Sequence, residues 1–330
     1  MPPAIWAMVS DHAGDNAQVL ALAEELDLPF ETKPVRYTWR KRLPGNDGRV
    51  SLFSIDRASR ERLRPPWPDL LIIVGPRSQP VGRYVKKASS GRTKVVLIGR
   101  LRAPASAFDL VFDTRQYATS NAPNVRLLPV AMSRRDSLTE PNNEERDWLE
   151  ALPRPHLLLM VGGPIRYWKL IPGHMSAVVG QLLARARALG GSLIVTGSPR
   201  SPRNVLVRLR RELRTAPNAR LAECPPRFRV LVQDADELFP TGDSVSMMSE
   251  SILTGKPVGI VPLTRTLAGR MLLGGPGRMA RHRFRDLRRF WSYLREQKLA
   301  GTIERPLAAT IENPVASAAA EVRRLFQTRD

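Results

Sequence analysis

Residues 237–263 read ELFPTGDSVSMMSESILTGKPVGIVPL. The stretch opens on a short apolar run, passes through a polar break and a helix-length segment, and closes on a second apolar run. That order is a βαβ unit, and a helical crossover makes its two strands parallel. The helix is predicted to start near Ser244–Ser246, with Asp243 or Ser244 supplying the capping oxygen. Gly255 then ends it at the C′ position and Pro257 restarts the chain. The first N–H groups of such a helix can hold a phosphate, and Glu250, about one turn in, can accept hydrogen bonds from paired sugar hydroxyls. The same pattern also describes a well-capped helix with no ligand.

Working outward, the alternation repeats on both sides. His156 opens HLLLMVGG and Gly191 opens GSLIVTG, with HMSAVVGQLLARARALG between them. Toward the N-terminus, AIWAMVS, DLLIIVG from Asp69, KVVLIG from Lys94, DLVFD from Asp109 and VRLLPVA from Val125 are further strand candidates. They are short and almost continuously apolar, as parallel strands buried on both faces are. DNAQVLALAEEL and SQPVGRYVKKAS are predicted crossover helices. The segment from Arg134 to Pro155 is polar and broken by prolines, so a boundary is placed there. The expected fold is α/β: two Rossmann-like, doubly wound domains facing each other across a cleft. The N-terminal domain is assigned to residues 1–145 and the C-terminal domain to 150–313.

Length agrees with two domains, since the chain has 330 residues. Its 42% hydrophobic content and mean hydropathy of −0.25 suit globular cores. No basic leader precedes the first apolar stretch, and no apolar run approaches membrane-spanning length, so secretion and membrane spanning are not expected. A single cysteine, Cys224, forms no internal disulfide, and the four histidines lack metal-site spacing. A cytoplasmic location fits, with peripheral placement on the inner face of a membrane as an option. Charge is the outlier: 52 Lys+Arg against 31 Asp+Glu give a formal +21, which favours anionic partners. The excess gathers in RYTWRKR from Arg36, RNVLVRLRRELR from Arg203 and RMARHRFRDLRRFWSYLR from Arg278. In the last, Phe284, Leu287, Trp291 and Leu294 recur at helical spacing among Arg281, Arg285, Arg288 and Arg289. It reads as a basic amphipathic helix with its apolar stripe in the core, and docking on anionic lipid is the alternative. No nucleic-acid-binding motif accompanies the charge.

Two more strand ends resemble the first. MVGGPIRYW places Gly162 and Gly163 where missing side chains let a ligand approach, or where the chain simply turns. TGSPRSP sets Thr196, Ser198 and Arg200 together, a combination suited to a diphosphate. After the first strand, DHAGDNAQ presents Gly14, Asp15, Asn16 and Gln18 toward the expected cleft. Asp15 or Asp11 could act as a general base, and Asp15 could equally cap the first helix. Asp234 and Asp236 precede a strand and read as a turn instead of a metal motif.

GGPIRYW, TGSPRSP, the GDNAQ stretch and above all ADELFPTGDSVSMMSESILTGKPV resemble the mitochondrial fission (elongated-mitochondria) family over nearly the whole chain. The resemblance implies a GT-B architecture, similar to nucleotide-sugar glycosyltransferases that act on lipid-linked acceptors without a metal or other cofactor. It implies Glu250 on a ribose, with Ser244, Ser246 and Met247 on a diphosphate. Gly162, Gly163, Ser198 and Arg200 would line the cleft. It further implies that the last helix, around 314–330, packs back on the first domain. Pro199 stands where relatives often carry a second basic residue, and Asp15 is not a fixed feature of the family motif. The expected activity is sugar transfer from a nucleotide-diphosphate donor to a membrane-associated or cell-envelope acceptor. A peripheral membrane scaffold that keeps the fold is the alternative.

Overall fold

The computed structural model describes residues 3–43, 49–117, 120–134, 139–223, 226–273 and 285–327. The chain forms two compact units, Met1–Arg135 with Asn313–Asp330, and Asp136–Glu312. The helix Asn143–Glu150 therefore belongs to the second unit, and the division falls early in the polar segment.

Unit 1 is built on six parallel strands: β1 (Ile5–Val9), β2 (Phe30–Pro34), β3 (Leu70–Val74), β4 (Lys94–Ile98), β5 (Leu110–Thr114) and β6 (Val125–Leu128). Their order is β2-β1-β3-β4-β5-β6. Alternate residues bury opposite faces, as the two-residue period of a strand requires. Ile5, Ala7, Leu70 and Ile72 pack under α1 (Ala13–Glu25), and Trp6, Met8, Leu71 and Ile73 pack under α3 (Gly75–Ala88). A short helix, α2 (Arg57–Arg62), precedes β3. The strand FETKP was not legible in the sequence. It is a polar edge strand with Lys33 its one buried residue, so it carries no apolar signal.

Unit 2 contains β7 (His156–Val161), β9 (Ser192–Gly197), β10 (Ala219–Ala222) and β11 (Glu237–Pro240), parallel in the order β10-β9-β7-β11. A two-residue pair, β8 (Trp168–Lys169) and β12 (Thr264–Arg265), is antiparallel. One face buries Leu157, Leu159, Leu193 and Val195 against α5 (Pro172–Ala188) and α6 (Arg203–Leu213). The other packs near α7 (Phe228–Asp234) and α8 (Val245–Leu253), where Met248 and Ile252 are buried. PVGIVPL does not form the expected ladder strand. Val258 and Val261 make isolated bridges to Leu238 and Thr241, because Pro257 and Pro262 lack the N–H that a continuous ladder needs. The C-terminal part adds α9 (Leu267–Leu272) and α10 (Leu287–Glu296), while α11 (Val315–Gln327) packs Val315, Ala318, Ala319 and Val322 into the unit 1 core.

The basic segment from Arg278 falls partly outside the described residues, including Arg281 and Phe284, as does Cys224. Its described part is α10, capped by Asp286, with Leu287, Phe290 and Leu294 buried. Arg288 grips both oxygens of buried Asp286 at 2.9 and 2.7 Å, and Arg285 donates to the Asp243 carbonyl at 3.1 Å. These two arginines serve the fold.

The remaining helix, α4 (Asn143–Glu150), opens with a capping box in which Asn142 and Glu145 satisfy each other's N–H groups. Glu145 is buried and takes the Arg227 guanidinium at 2.6 and 2.8 Å and its N–H at 2.8 Å. The Arg227 guanidinium holds the Glu145 carboxyl down at about 2, from an ordinary 4.5. A carboxyl depressed on folding contributes stability that is complete above 4.5 and lost as pH falls toward 2. Acid titration of unit 2 is expected to show that window, and Glu145→Gln should abolish it. Identical acid profiles for the two proteins would refute the assignment.

Candidate functional site

In unit 2 the strand order runs outward from β7 in both directions, through β9 to β10 on one side and to β11 on the other. Open α/β sheets bind ligands at such a switch point, outside the strands' carboxyl ends. The loops that leave β7 and β11 there are Gly162–Gly163 and Thr241–Ser244.

Helix α8 begins as expected, and Ser244 is its cap: the Ser244 Oγ accepts the Met247 N–H at 3.3 Å. The N–H groups of Val245 and Ser246 open the first turn, where a helix supplies no acceptor of its own. Ser246, Met247 and Glu250 are half-buried, whereas Val245, Met248, Ser249, Ser251 and Ile252 are buried. Spacings of three and four residues put Ser246, Met247 and Glu250 on one helix face, away from the core.

Asp243 is neither the cap nor an exposed ligand. It is buried, and its Oδ1 accepts the Thr241 hydroxyl at 2.7 Å while Oδ2 accepts the Gly163 N–H at 3.0 Å and Arg200 Nη2 at 3.0 Å. Thr241 Oγ1 in turn accepts the Gly162 N–H at 2.8 Å. One carboxylate thus ties the exits of β7, β9 and β11 together. The diglycine acquires a different reason from the one read in the sequence. A Cβ on Gly162 would lie 2.2 Å from Asp243 Oδ1, and one on Gly163 would lie 2.5 Å from the Arg200 carbonyl. Their N–H groups are spent inside the protein, and the Arg200 charge is met by Asp243.

The loop after β9 also closes on itself. Ser201 Oγ donates to the Val161 carbonyl at 2.7 Å and accepts the Ser198 N–H at 2.8 Å. Ser198 Oγ accepts the Arg200 N–H at 3.3 Å. Thr196 is buried in the β9 ladder opposite Met160, and so belongs to the strand. Below the loops, Trp291 of α10 donates its Nε1–H to the Gly242 carbonyl at 2.9 Å. Thr241, Ser201, Arg285 and Trp291 were missed because their roles depend on contacts distant in sequence. Asp234 and Asp236 pair with Arg154 and His156. No group of three or more His, Cys, Asp or Glu among the described residues could hold a metal ion.

The switch point of unit 1 lies between β1 and β3. Asn16 does not face outward there, because its amide clamps the Ser10 backbone, accepting N–H at 2.8 Å and donating to C=O at 2.7 Å. Gly14 is exposed in the first turn of α1, Asp15 and Gln18 are half-buried, and the N-cap position is His12. In unit 1 the sequence reading missed His12 and Arg77. The His12 Nδ1 lies 2.7 Å from Asp11 Oδ1, and Arg77 Nη1 lies 3.1 Å from His12 Nε2. A guanidinium only donates, so Nε2 carries the lone pair and Nδ1 the proton. The hydrogen bond from His12 lowers the Asp11 carboxyl below its ordinary value.

The profile of the family described as Mitochondrial fission ELM1 matches residues 13–326. The chain belongs to the Mitochondrial fission ELM1 family. This ELM1 family member matches no curated protein in sequence. Among solved structures it is similar to the Staphylococcus aureus MnaA–UDP structure, at TM-score 0.53 and 12% identity, covering 98% of this chain and 97% of that one. It is similar to UDP-GlcNAc 2-epimerase from Neisseria meningitidis bound to UDP-GlcNAc, at 0.51 and 12%, covering 99% and 100%. Arabidopsis thaliana UGT89C1 complexed with UDP gives 0.53 and 12%, covering 97% and 89%. At these identities the shared property is the fold, GT-B with Rossmann-like domains.

Proposed function

We propose that this ELM1 family member binds a nucleotide-diphosphate sugar in unit 2 and transfers the sugar, without a metal, to an acceptor at a membrane surface. The observation that carries the reading is the Ser244-capped start of α8 at the switch point, with Ser246, Met247 and Glu250 on one helix face. The first-turn N–H groups and the positive end of the helix would hold the diphosphate and stabilise it as leaving group. Glu250 would accept the ribose hydroxyls. Uridine is the first base to try, because the three similar structures hold UDP or UDP-GlcNAc. In unit 1, Asp15 in the first turn of α1 is the general base for an acceptor hydroxyl, with Asp11 as the alternative.

A second reading is favoured by one specific observation. Arg200 is paired with Asp243, and Pro199 adds no charge, so the loop after β9 offers little compensation to a diphosphate. That suits a peripheral scaffold that keeps the fold. Thermal melts with UDP, GDP and their sugars separate the two. A donor site predicts stabilisation of about 2.7 kcal/mol at a hundredfold excess over Kd, lost in Glu250→Ala. A scaffold predicts unchanged melts with every nucleotide.

A further inference from the structure

The two most exposed large apolar side chains of the described residues sit one turn apart on α9: Leu267 at 74% and Met271 at 78%. Leu272, 47% exposed, extends the same outward surface. The opposite side of α9 is fixed. Thr266 donates its N–H to the Tyr167 carbonyl at 2.9 Å and caps the Gly269 N–H at 3.0 Å, and a Cβ on Gly269 would lie 2.4 Å from that carbonyl. The helix therefore holds these side chains outward on a rigid base formed by the turn before β8.

The surroundings are cationic. Arg270 is exposed on α9, and Lys169, paired with Thr264 across the β8–β12 ladder, is exposed beside it. Arg166 is exposed in the turn before β8. No acidic residue occurs between Glu250 and Asp286, nor between Glu150 and Glu212, so the two stretches of sequence that contain α9 and β8 carry basic charge alone. An outward apolar face with a basic flank matches the headgroup boundary of an anionic bilayer, which takes apolar side chains below and phosphates at their edge.

We infer that α9 is a membrane-docking element, with Leu267, Met271 and Leu272 entering the acyl boundary and Arg270, Lys169 and Arg166 meeting lipid phosphates. The inference replaces α10 as the docking helix. It deepens the membrane-acceptor half of the proposed function, and it is tested without nucleotide, so its failure is separate from failure of the donor site.

The test is sedimentation of the full chain with phosphatidylcholine vesicles and with vesicles containing roughly one-third phosphatidylglycerol. Binding to the anionic vesicles is expected, weakened about tenfold or more by Leu267→Ser with Met271→Ser. Both positions are exposed, so unchanged melting should accompany the loss. Arg270→Glu should weaken binding in dilute salt and lose most of its effect in concentrated salt. An environment-sensitive dye at Met271→Cys, with Cys224→Ser, should brighten with anionic vesicles alone. Equal binding by the double variant overturns the inference. So does abolition of binding by Trp39→Ala, which removes the exposed tryptophan of unit 1, while the α9 variants bind normally. A change in self-association of the double variant without vesicles would assign the patch to contact between copies, and also overturns it.

Discussion

Asp243→Ala is expected to destabilise unit 2 by several kcal/mol, about 1–3 kcal/mol for each buried donor it leaves unmet. The substitution strands three donors: the Thr241 hydroxyl, the Gly163 N–H and the Arg200 guanidinium. The first two are buried, and an unmet buried donor carries its whole desolvation penalty. Arg200→Ala should cost less, since that side chain is half-exposed and Asp243 keeps its other two donors. Gly162→Ala approaches the same lattice from the other side, driving a Cβ to 2.2 Å from Asp243 Oδ1. Amide exchange in β7, β9 and β11 reads the effect where it arises. Protection in Asp243→Ala within about 0.5 kcal/mol of the parent protein would show that the carboxylate does not hold the three loops together.

The second large effect is a gain. Asp113, the penultimate residue of β5, is 6% exposed, and its Oδ1 accepts the Thr114 N–H at 2.8 Å. Burial raises its carboxyl from 3.8 to about 7, against the opposing pull of that N–H and of the Arg100 charge. A carboxyl raised on folding contributes fully below 3.8, where both states are protonated, and loses that contribution as pH rises through 7. The interval corresponds to roughly 4 kcal/mol as an upper limit. Asp113→Asn keeps the shape and abolishes the charge, so it should raise the stability of unit 1 at pH 8 by a large part of that amount and change little at pH 4. Parallel stability curves for the two proteins between pH 4 and 8 would remove the basis for this prediction. The residue stands at the carboxyl edge of the sheet, where parallel α/β folds place ligand-binding groups.

How much of this was legible beforehand differs by element. Continuous apolar runs such as LLIIV and HLLLMV announced buried parallel strands, because a strand covered on both faces has no polar side to show. The start of α8 and a cap at Asp243 or Ser244 were also legible, since caps are local, and the contacts chose Ser244. Polar edge strands such as FETKP were not, because half their environment is solvent. The purpose of the diglycine was left open for a related reason. A sequence records that a side chain is missing, but not whether a ligand or a carboxylate eighty residues away fills the space.

The amino-acid sequence by itself determined the α/β class, the parallel strands, the start of α8 and the basic charge, since each follows from short-range pattern and composition. Tertiary structure alone decided that β7 and β11 are neighbours, that Asp243 joins three loops, that Arg200 is already paired, and that α9 rather than α10 presents its apolar side outward. Those outcomes depend on which distant segments share a sheet edge, and the free energy that settles them is burial and pairing across the fold, which no local spacing encodes.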